Sequence, residues 1–157
     1  MKARSGATGG SGPNIGQCAN RTDEALTKAD FEAHAAFRYA LRQFLSFSEA
    51  AARSEGMSPQ QYQALLAIQG FPGRDEVTVG ELAERLQLKH HSVVELVDRM
   101  EAQNLVTRRP DPADRRQVFV ELTDRGVERV RAVMGKNRTK LRELQLHILD
   151  FVTTLDK

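Results

Sequence analysis

Apolar residues recur at helical spacing along most of the chain after residue 30. From Asp30 to Glu55 they return at mostly three- and four-residue steps, which predicts one long helix. Gly56 follows at the position where a helix end favours a left-handed residue. The sequence SPQQ at 58–61 predicts the start of a second helix, because its serine and last glutamine form a capping box and its proline suits the first helical position.

Two shorter helices are predicted between Thr78 and Gln103. Thr78 and Glu81 form a second capping box at the start of the first of them. After a tight turn, the other helix runs over roughly residues 90–103 and carries one apolar stripe at positions i, i+3, i+4 and i+7. The stripe consists of Val93, Leu96, Val97 and Met100. Its burial leaves the opposite, polar face of this helix free.

Alternating apolar residues then predict two strands, at 105–109 and at 118–122. The sequence PDPAD at 110–114 forms the turn between them. A final helical pattern runs over residues 124–155, and Gly135 is expected to break or bend it.

Composition and charge narrow the class of protein. The 157 residues suit one domain with appendages, and the net charge of +2 permits nucleic-acid binding without requiring it. Residues 1–29 are rich in small and polar residues and predict a disordered tail. No apolar run is long enough for a transmembrane helix, so no membrane partner is expected. A single cysteine, Cys18, excludes an intramolecular disulfide and favours a cytoplasmic location.

Four segments together resemble the MarR family of bacterial transcriptional regulators. They are ELAERL at 81–86, VVELVDRMEAQNLV at 93–106, RRPDPADRR at 108–116 and VELTDRG at 120–126. The resemblance covers about residues 30–157. Two positions depart from the family pattern: Asn104 stands where glycine is usual, and Lys89 stands where a serine or threonine cap is better.

The resemblance implies a mainly α fold with a small β wing. A winged helix-turn-helix lobe at 57–123 is flanked by N- and C-terminal dimerisation helices at 30–55 and 124–157, which pack together in a homodimer. In such a module the N-terminal part of the second helix of the helix-turn-helix meets base edges in the major groove.

Several residues are expected to contact double-stranded DNA. Glu95 can accept a hydrogen bond from cytosine, and Arg99 is expected to bind a phosphate or a neighbouring carboxylate. The full set is Lys89, His90, His91, Ser92, Glu95, Arg99, Arg109 and Arg115. By the resemblance, one of the two arginines in the Asp-Arg-Arg triplet at 114–116 enters the minor groove, and the other pairs with a nearby aspartate. We assign the groove to Arg115 and the structural role to Arg116 with Asp114, while the reverse assignment of the two arginines stays open.

The expected function is a dimeric, sequence-specific transcriptional regulator, specifically a repressor of its own and neighbouring genes. Dimer symmetry predicts a pseudo-palindromic operator with half-sites about one helical turn apart. The alternative is a winged-helix module that binds protein or RNA. No catalytic constellation or nucleotide-binding motif is present in the sequence, so neither an enzyme nor a cofactor is expected. The histidines lack metal-ligand spacing, so no metal site is expected.

Aromatic residues on the first two helices are compatible with an effector pocket. In many relatives in the family, small phenolic or lipophilic ligands bind between the dimerisation helices and the DNA-binding lobe. The candidate pocket residues are His34, Arg38, Tyr62 and, as an anion contact, Arg108. The competing interpretation is that the aromatic residues are plain core. Cys18 is either a redox sensor or a thiol of the tail without a function. Its tail-like sequence setting favours the second interpretation.

Overall fold

The computed structural model describes residues 26–114 and 117–155, and within them five helices and three strands. The helices are α1 (Lys28–Ser54), α2 (Pro59–Gln69), α3 (Val79–Leu86), α4 (His90–Ala102) and α5 (Asp124–Leu155). The strands are β1 (Glu76–Thr78), β2 (Val106–Pro110) and β3 (Val118–Leu122). This confirms a mainly α fold with a small β wing. Among the described residues, no helix is both long and apolar enough to cross a membrane.

Helix α1 begins earlier than its apolar spacing predicts. Its N-cap is Thr27, whose side chain accepts a hydrogen bond from the Asp30 backbone, while the Asp30 carboxylate accepts one from the Thr27 backbone. Residues 28 and 29, predicted as tail, are therefore helical. Cys18 and the rest of the predicted tail up to residue 25 lie outside the described residues.

Both predicted capping boxes are present. Ser58 and Gln61 exchange side-chain to backbone hydrogen bonds at the start of α2, and Thr78 and Glu81 do the same at the start of α3. Lys89 precedes α4 without a side-chain capping bond. Helix α4 is thus held in place by tertiary contacts rather than by its own N-cap.

Left-handed residues set the chain direction at three helix ends. Gly56 follows α1 with φ 75°, Gln87 ends α3 with φ 54°, and Asn104 follows α4 with φ 55°. Asparagine visits this region more readily than most side chains, which explains how Asn104 takes the place of the usual glycine.

The three strands form an antiparallel sheet in the order β1-β3-β2. β3 is central, with Val77 and Arg108 on the two sides of Val120. Val77 and Val120 are fully buried and join one core with the stripe of α4 and with Leu65 of α2. This shared core holds the wing and α4, the second helix of the helix-turn-helix and hereafter called the recognition helix, in one lobe.

Helix α5 does not break at Gly135, where the sequence predicted a break or a bend. The helix is continuous from Asp124 to Leu155. Gly135 is exposed, and a lone glycine costs an exposed helix only about 1 kcal/mol. Burial of Val130, Val133 and Leu144 on the same helix offsets that cost.

Candidate nucleic-acid interface

Helix α4 presents a polar face opposite its buried one. Its predicted apolar stripe is no more than 1% exposed at any of the four positions. Lys89, His90, His91, Glu95 and Arg99 are exposed, and Ser92 is half-buried. The predicted contact residues of this helix therefore lie together on a surface that a ligand can reach, and their role in DNA contact stays a prediction.

The exposed face of α4 carries mixed charge. Lys89 and Arg99 supply positive charge, whereas Glu95 and Asp98 supply negative charge. Within the described residues, no carboxylate lies within ion-pair distance of Arg99. Its guanidinium is thus available to a phosphate, the first of its two predicted partners.

The wing between β2 and β3 is a hydrogen-bonded turn. The Asp111 backbone donates to the Gln117 carbonyl at 3.0 Å, and the Gln117 backbone donates to the Asp114 carbonyl at 2.9 Å. The Asp111 carboxylate also accepts from the Ala113 backbone at 2.8 Å. Arg115 and Arg116 lie outside the described residues, so their assigned roles remain predictions.

Arg109 is paired within the protein. Its Nη2 lies 2.5 Å from Oε2 of Glu76 on β1, and its guanidinium lies 5.5 Å from the ring centre of Phe119. The side chain is 42% exposed. Contact with DNA would compete with an existing carboxylate, so Arg109 offers DNA less net charge than the sequence implies.

Arg108 connects the wing to the recognition helix. Its Nη2 lies 2.5 Å from Oδ1 of Asp98, and its Nη1 lies 2.5 Å from Oε2 of Glu101. Partial burial opposes the charged form, but the hydrogen bonds to the two carboxylates outweigh burial and raise the pKa of Arg108. The residue therefore fixes β2 against the C-terminal half of α4.

The four predicted pocket residues do not come together. Arg108 faces α4, His34 packs edge-on against Phe151 near the end of α5, and Arg38 is exposed on α1. A cavity of about 700 Å³ does lie between α1, α2 and α5, and Tyr62 alone of the four lines it. The prediction grouped these residues by their chemistry. In the structure they lie on three different elements, α1, α2 and β2, and have different neighbours.

Asn137 is a buried residue of this region that the predicted pocket omitted. It is 2% exposed, and its Nδ2 donates to Ser48 Oγ at 2.9 Å and to Tyr62 OH at 3.3 Å. Its position carries a signal, because it continues the buried spacing of Val130 and Val133 on α5. A polar residue inside an apolar stripe indicates a specific partner.

A second cluster of side chains, built around Phe71, positions α3. The guanidinium groups of Arg74 and Arg85 lie 4.5 Å and 4.2 Å from the ring centre of Phe71. Arg74 also pairs with Glu81, the acid of the α3 capping box. Burial opposes ionisation of Glu81, but hydrogen bonds from the Thr78 backbone and Arg74 outweigh it and lower its pKa. These contacts hold the helix on which α4 rests.

Comparison with known proteins agrees with this geometry. The model of the MarR family matches residues 55–117, which contain the helix-turn-helix and most of the wing. The crystal structure of AbsC, a MarR family transcriptional regulator from Streptomyces coelicolor, superposes with a TM-score of 0.66 at 25% identity, covering 85% of this chain and 90% of AbsC. Residues 55–117 are thus similar to the MarR family, and the fold of the chain is that of a MarR-family regulator.

Other MarR-type proteins are similar over shorter stretches. The chain is 36% identical to the uncharacterized HTH-type transcriptional regulator YsmB of Bacillus subtilis, over 56% of this chain and 58% of YsmB. It is 33% identical to the HTH-type transcriptional repressor MdtR of the same organism, over 46% of this chain and 44% of MdtR. The matches thus span about half the length of these curated relatives. The proteins to which this chain is similar carry the names of transcriptional regulators, and the expectation that the chain is not an enzyme agrees with them.

Proposed function

We propose that this chain is a MarR-family regulator, a cytoplasmic homodimer that binds a specific DNA operator and represses its own and neighbouring genes. The observation that carries the proposal is the recognition helix. Four buried residues fix one face of α4 in the core, and the opposite face presents lysine, histidine and arginine beside the wing. That arrangement suits insertion into a major groove with the wing on the flanking backbone.

The apolar surface supports the homodimer. The exposed large apolar side chains of the described residues all lie on α1, on α5 or just before α1, and they include Phe31, Tyr39, Leu146, Leu149 and Val152. A concentration of exposed apolar side chains on one pair of helices is typical of an interaction surface. A second copy of the chain would bury these helices and bring two α4 helices to one pseudo-palindromic operator.

Of the alternatives, a winged helix that binds protein fits the surface less well. A protein-binding recognition face would be expected to carry exposed large apolar side chains. Among the described residues, those side chains lie on and beside the dimerisation helices and not on α4 or the wing.

We also propose that a small phenolic or lipophilic effector relieves repression. The cavity between α1, α2 and α5 lies where the two proposed dimerisation helices meet a helix of the DNA-binding lobe. A ligand there can favour one spacing of the two α4 helices over another, which changes operator affinity without touching DNA.

The test is fluorescence anisotropy with DNA from upstream of the protein's own gene and a scrambled duplex. We expect specific binding that weakens in Arg115→Ala and remains unchanged in Arg53→Ala, an equal loss of charge on α1 outside the proposed interface. The unliganded protein should have twice the mass of the 17.5 kDa chain in light scattering. Equal, weak binding of both duplexes, or a monomeric mass, would count against the proposal.

A further inference from the structure

Asn137 of α5 joins two other helices through a single side-chain amide. Its Nδ2 donates to Oγ of Ser48 on α1 at 2.9 Å and to the phenol oxygen of Tyr62 on α2 at 3.3 Å. An amide NH2 group carries two hydrogens, so both bonds can form at once. All three residues are buried. This amide network therefore runs from the two proposed dimerisation helices, α1 and α5, to a helix of the DNA-binding lobe.

The amide network lies where the core of the lobe ends. On α5, Val133 belongs to that core, whereas Leu144 is buried outside it among the described residues. On α1, Ala51 belongs to the core, and Ala40 is buried outside it in the same way. The network falls between the two members of each pair. It therefore occupies the position about which the lobe would turn relative to α1 and α5.

Stability alone does not account for an asparagine at this position. Oδ1 of Asn137 is buried and accepts no hydrogen bond from the described residues. A buried acceptor without a partner destabilises a fold, and an apolar residue of similar volume would avoid that cost. In packed helices, a buried asparagine can fix the register of its partners at the expense of stability. Asn137 has the features that such a role requires.

The buried face of α1 increases the weight of a directional contact. The buried residues of this helix are all small, and they are Ala40, Ser48, Ala51 and Ala52. Short side chains interlock less with a neighbouring helix than long ones do, so they fix the offset between α1 and α5 less firmly. The hydrogen bond from Asn137 to Ser48 supplies a defined length and direction at this offset.

We propose that Asn137 is a positioning residue that sets the angle between the DNA-binding lobe and the α1–α5 pair, and through it the operator half-site spacing that the dimer accepts. The proposal rests on the proposed function, since spacing matters only to a dimer on a two-part operator. In a symmetric dimer the same angle recurs in both copies and fixes the distance between the two α4 helices. Without the network the angle varies more, so operators of different spacing are bound more equally.

The first test measures this angle in the full chain without DNA. Spin labels are placed at Glu84→Cys on α3 and Thr139→Cys on α5, two exposed positions, after Cys18→Ser removes the natural thiol. An excess of unlabelled chain restricts the recorded distances to those within one chain. We expect pulsed electron paramagnetic resonance to give a narrow distance distribution for the chain with the network intact and a wider one after Asn137→Leu.

Val133→Ala is the matched control, because it shortens a fully buried side chain on the same helix and leaves the network in place. It should lower the melting temperature through the lost packing but keep the narrow distribution. Tyr62→Phe and Ser48→Ala each remove one hydrogen-bond partner of Asn137, and both should widen the distribution. They also serve as smaller changes in case Asn137→Leu does not fold, with circular dichroism melts as the check on folding.

The second test measures spacing preference by fluorescence anisotropy. The duplexes are the operator and copies with one base pair inserted or removed between the half-sites. We expect the wild type and Val133→Ala to prefer one spacing by about tenfold, and Asn137→Leu to prefer it by about threefold or less.

The proposal is overturned if the folded network variants match the wild type in the width of the distance distribution or in spacing preference, or if Val133→Ala changes either as much as they do. Absence of operator binding by the wild type would overturn the proposed function instead. The distance measurement would then still decide whether Asn137 positions the lobe.

Discussion

Arg108 of β2 is paired with Asp98 of α4, with 2.5 Å between Nη2 and Oδ1. The same guanidinium reaches Glu101 through Nη1, so one side chain spans two carboxylates that lie about one turn apart on the helix. A forked guanidinium can bind two carboxylates at once, which a lysine cannot do with the same geometry. The wing and the recognition helix are thereby joined by side chains as well as by the short connection between α4 and β2.

Arg108→Gln should loosen this connection. The carboxylates are largely solvated, so we expect the free energy of unfolding to fall by only about 1 kcal/mol in urea titrations. Operator affinity should fall further than this small loss implies, because α4 and the wing must contact DNA together. Arg53→Gln, which breaks one exposed pair on α1, is the matched control. Normal operator binding by Arg108→Gln would show that the pairing does not orient α4.

Two glycines of α5 should respond oppositely to alanine. A Cβ at Gly126 would lie 2.1 Å from the carbonyl oxygen of Leu105, whereas a Cβ at Gly135 would meet nothing within 4 Å. We expect Gly126→Ala to lower the free energy of unfolding by about 3 kcal/mol. Gly135→Ala should raise it by about 0.5–1 kcal/mol through helix propensity. Urea denaturation of both variants checks this, and equal effects would contradict it.

The contrast between these glycines shows what the sequence could and could not predict. Local rules found the capping boxes, the buried stripe of α4 and the left-handed residue at Gly56, because each depends on neighbours within one turn. The continuity of α5 through Gly135 depends on packing against α1, which local propensity does not contain. Sequence alone therefore marked a possible break that tertiary contacts remove.

The candidate site likewise has features that the sequence could predict and features that it could not. The exposed face of α4 could be predicted from the period of its buried face. The partners of Arg108 and Arg109 could not, because Glu76 lies 33 residues from Arg109 and is brought beside it only by the pairing of the sheet. Asn137 meets Ser48 across 89 residues for a similar reason, so this buried hydrogen bond emerges only from the packing of α5 on α1.

Glu55 should make stability depend on pH. Lys136 first, and Arg129 after it, hold the pKa of Glu55 below its ordinary value near 4.5 despite the opposing effect of burial. Because the folded-state pKa is the lower one, this contribution to stability is fully present above about pH 4.5 and is lost as the pH falls through the folded value. Glu55→Gln should therefore melt below the wild type at pH 7, and the difference should shrink as the pH falls below about 4.5.

Thermal melts followed by circular dichroism across this pH range measure the difference. Glu143→Gln is the control, since it removes an exposed pair with Lys140 on α5. A difference in melting temperature for Glu55→Gln that stays constant from pH 7 to pH 3 would rule out the electrostatic origin of the effect.

Arg99 and Arg109, two of the predicted DNA contacts, should differ in their effect on the salt dependence of operator binding. Each phosphate contact contributes about 0.9 to the slope of log affinity against log salt concentration. Arg99 has no carboxylate partner among the described residues, so Arg99→Gln should reduce the slope by about that amount. Arg109 is already paired with Glu76, so Arg109→Gln should change the slope much less.

Glu76→Gln provides the decisive comparison because it removes the carboxylate and leaves Arg109 in place. If the ion pair is what withholds Arg109 from DNA, this variant should bind the operator more tightly at low salt and show a steeper salt slope than the wild type. The double variant Glu76→Gln with Arg109→Gln should lose that gain. Anisotropy titrations at four salt concentrations measure the wild type and all four variants. A slope reduced as much by Arg109→Gln as by Arg99→Gln would mean that Arg109 leaves Glu76 to bind a phosphate when DNA arrives.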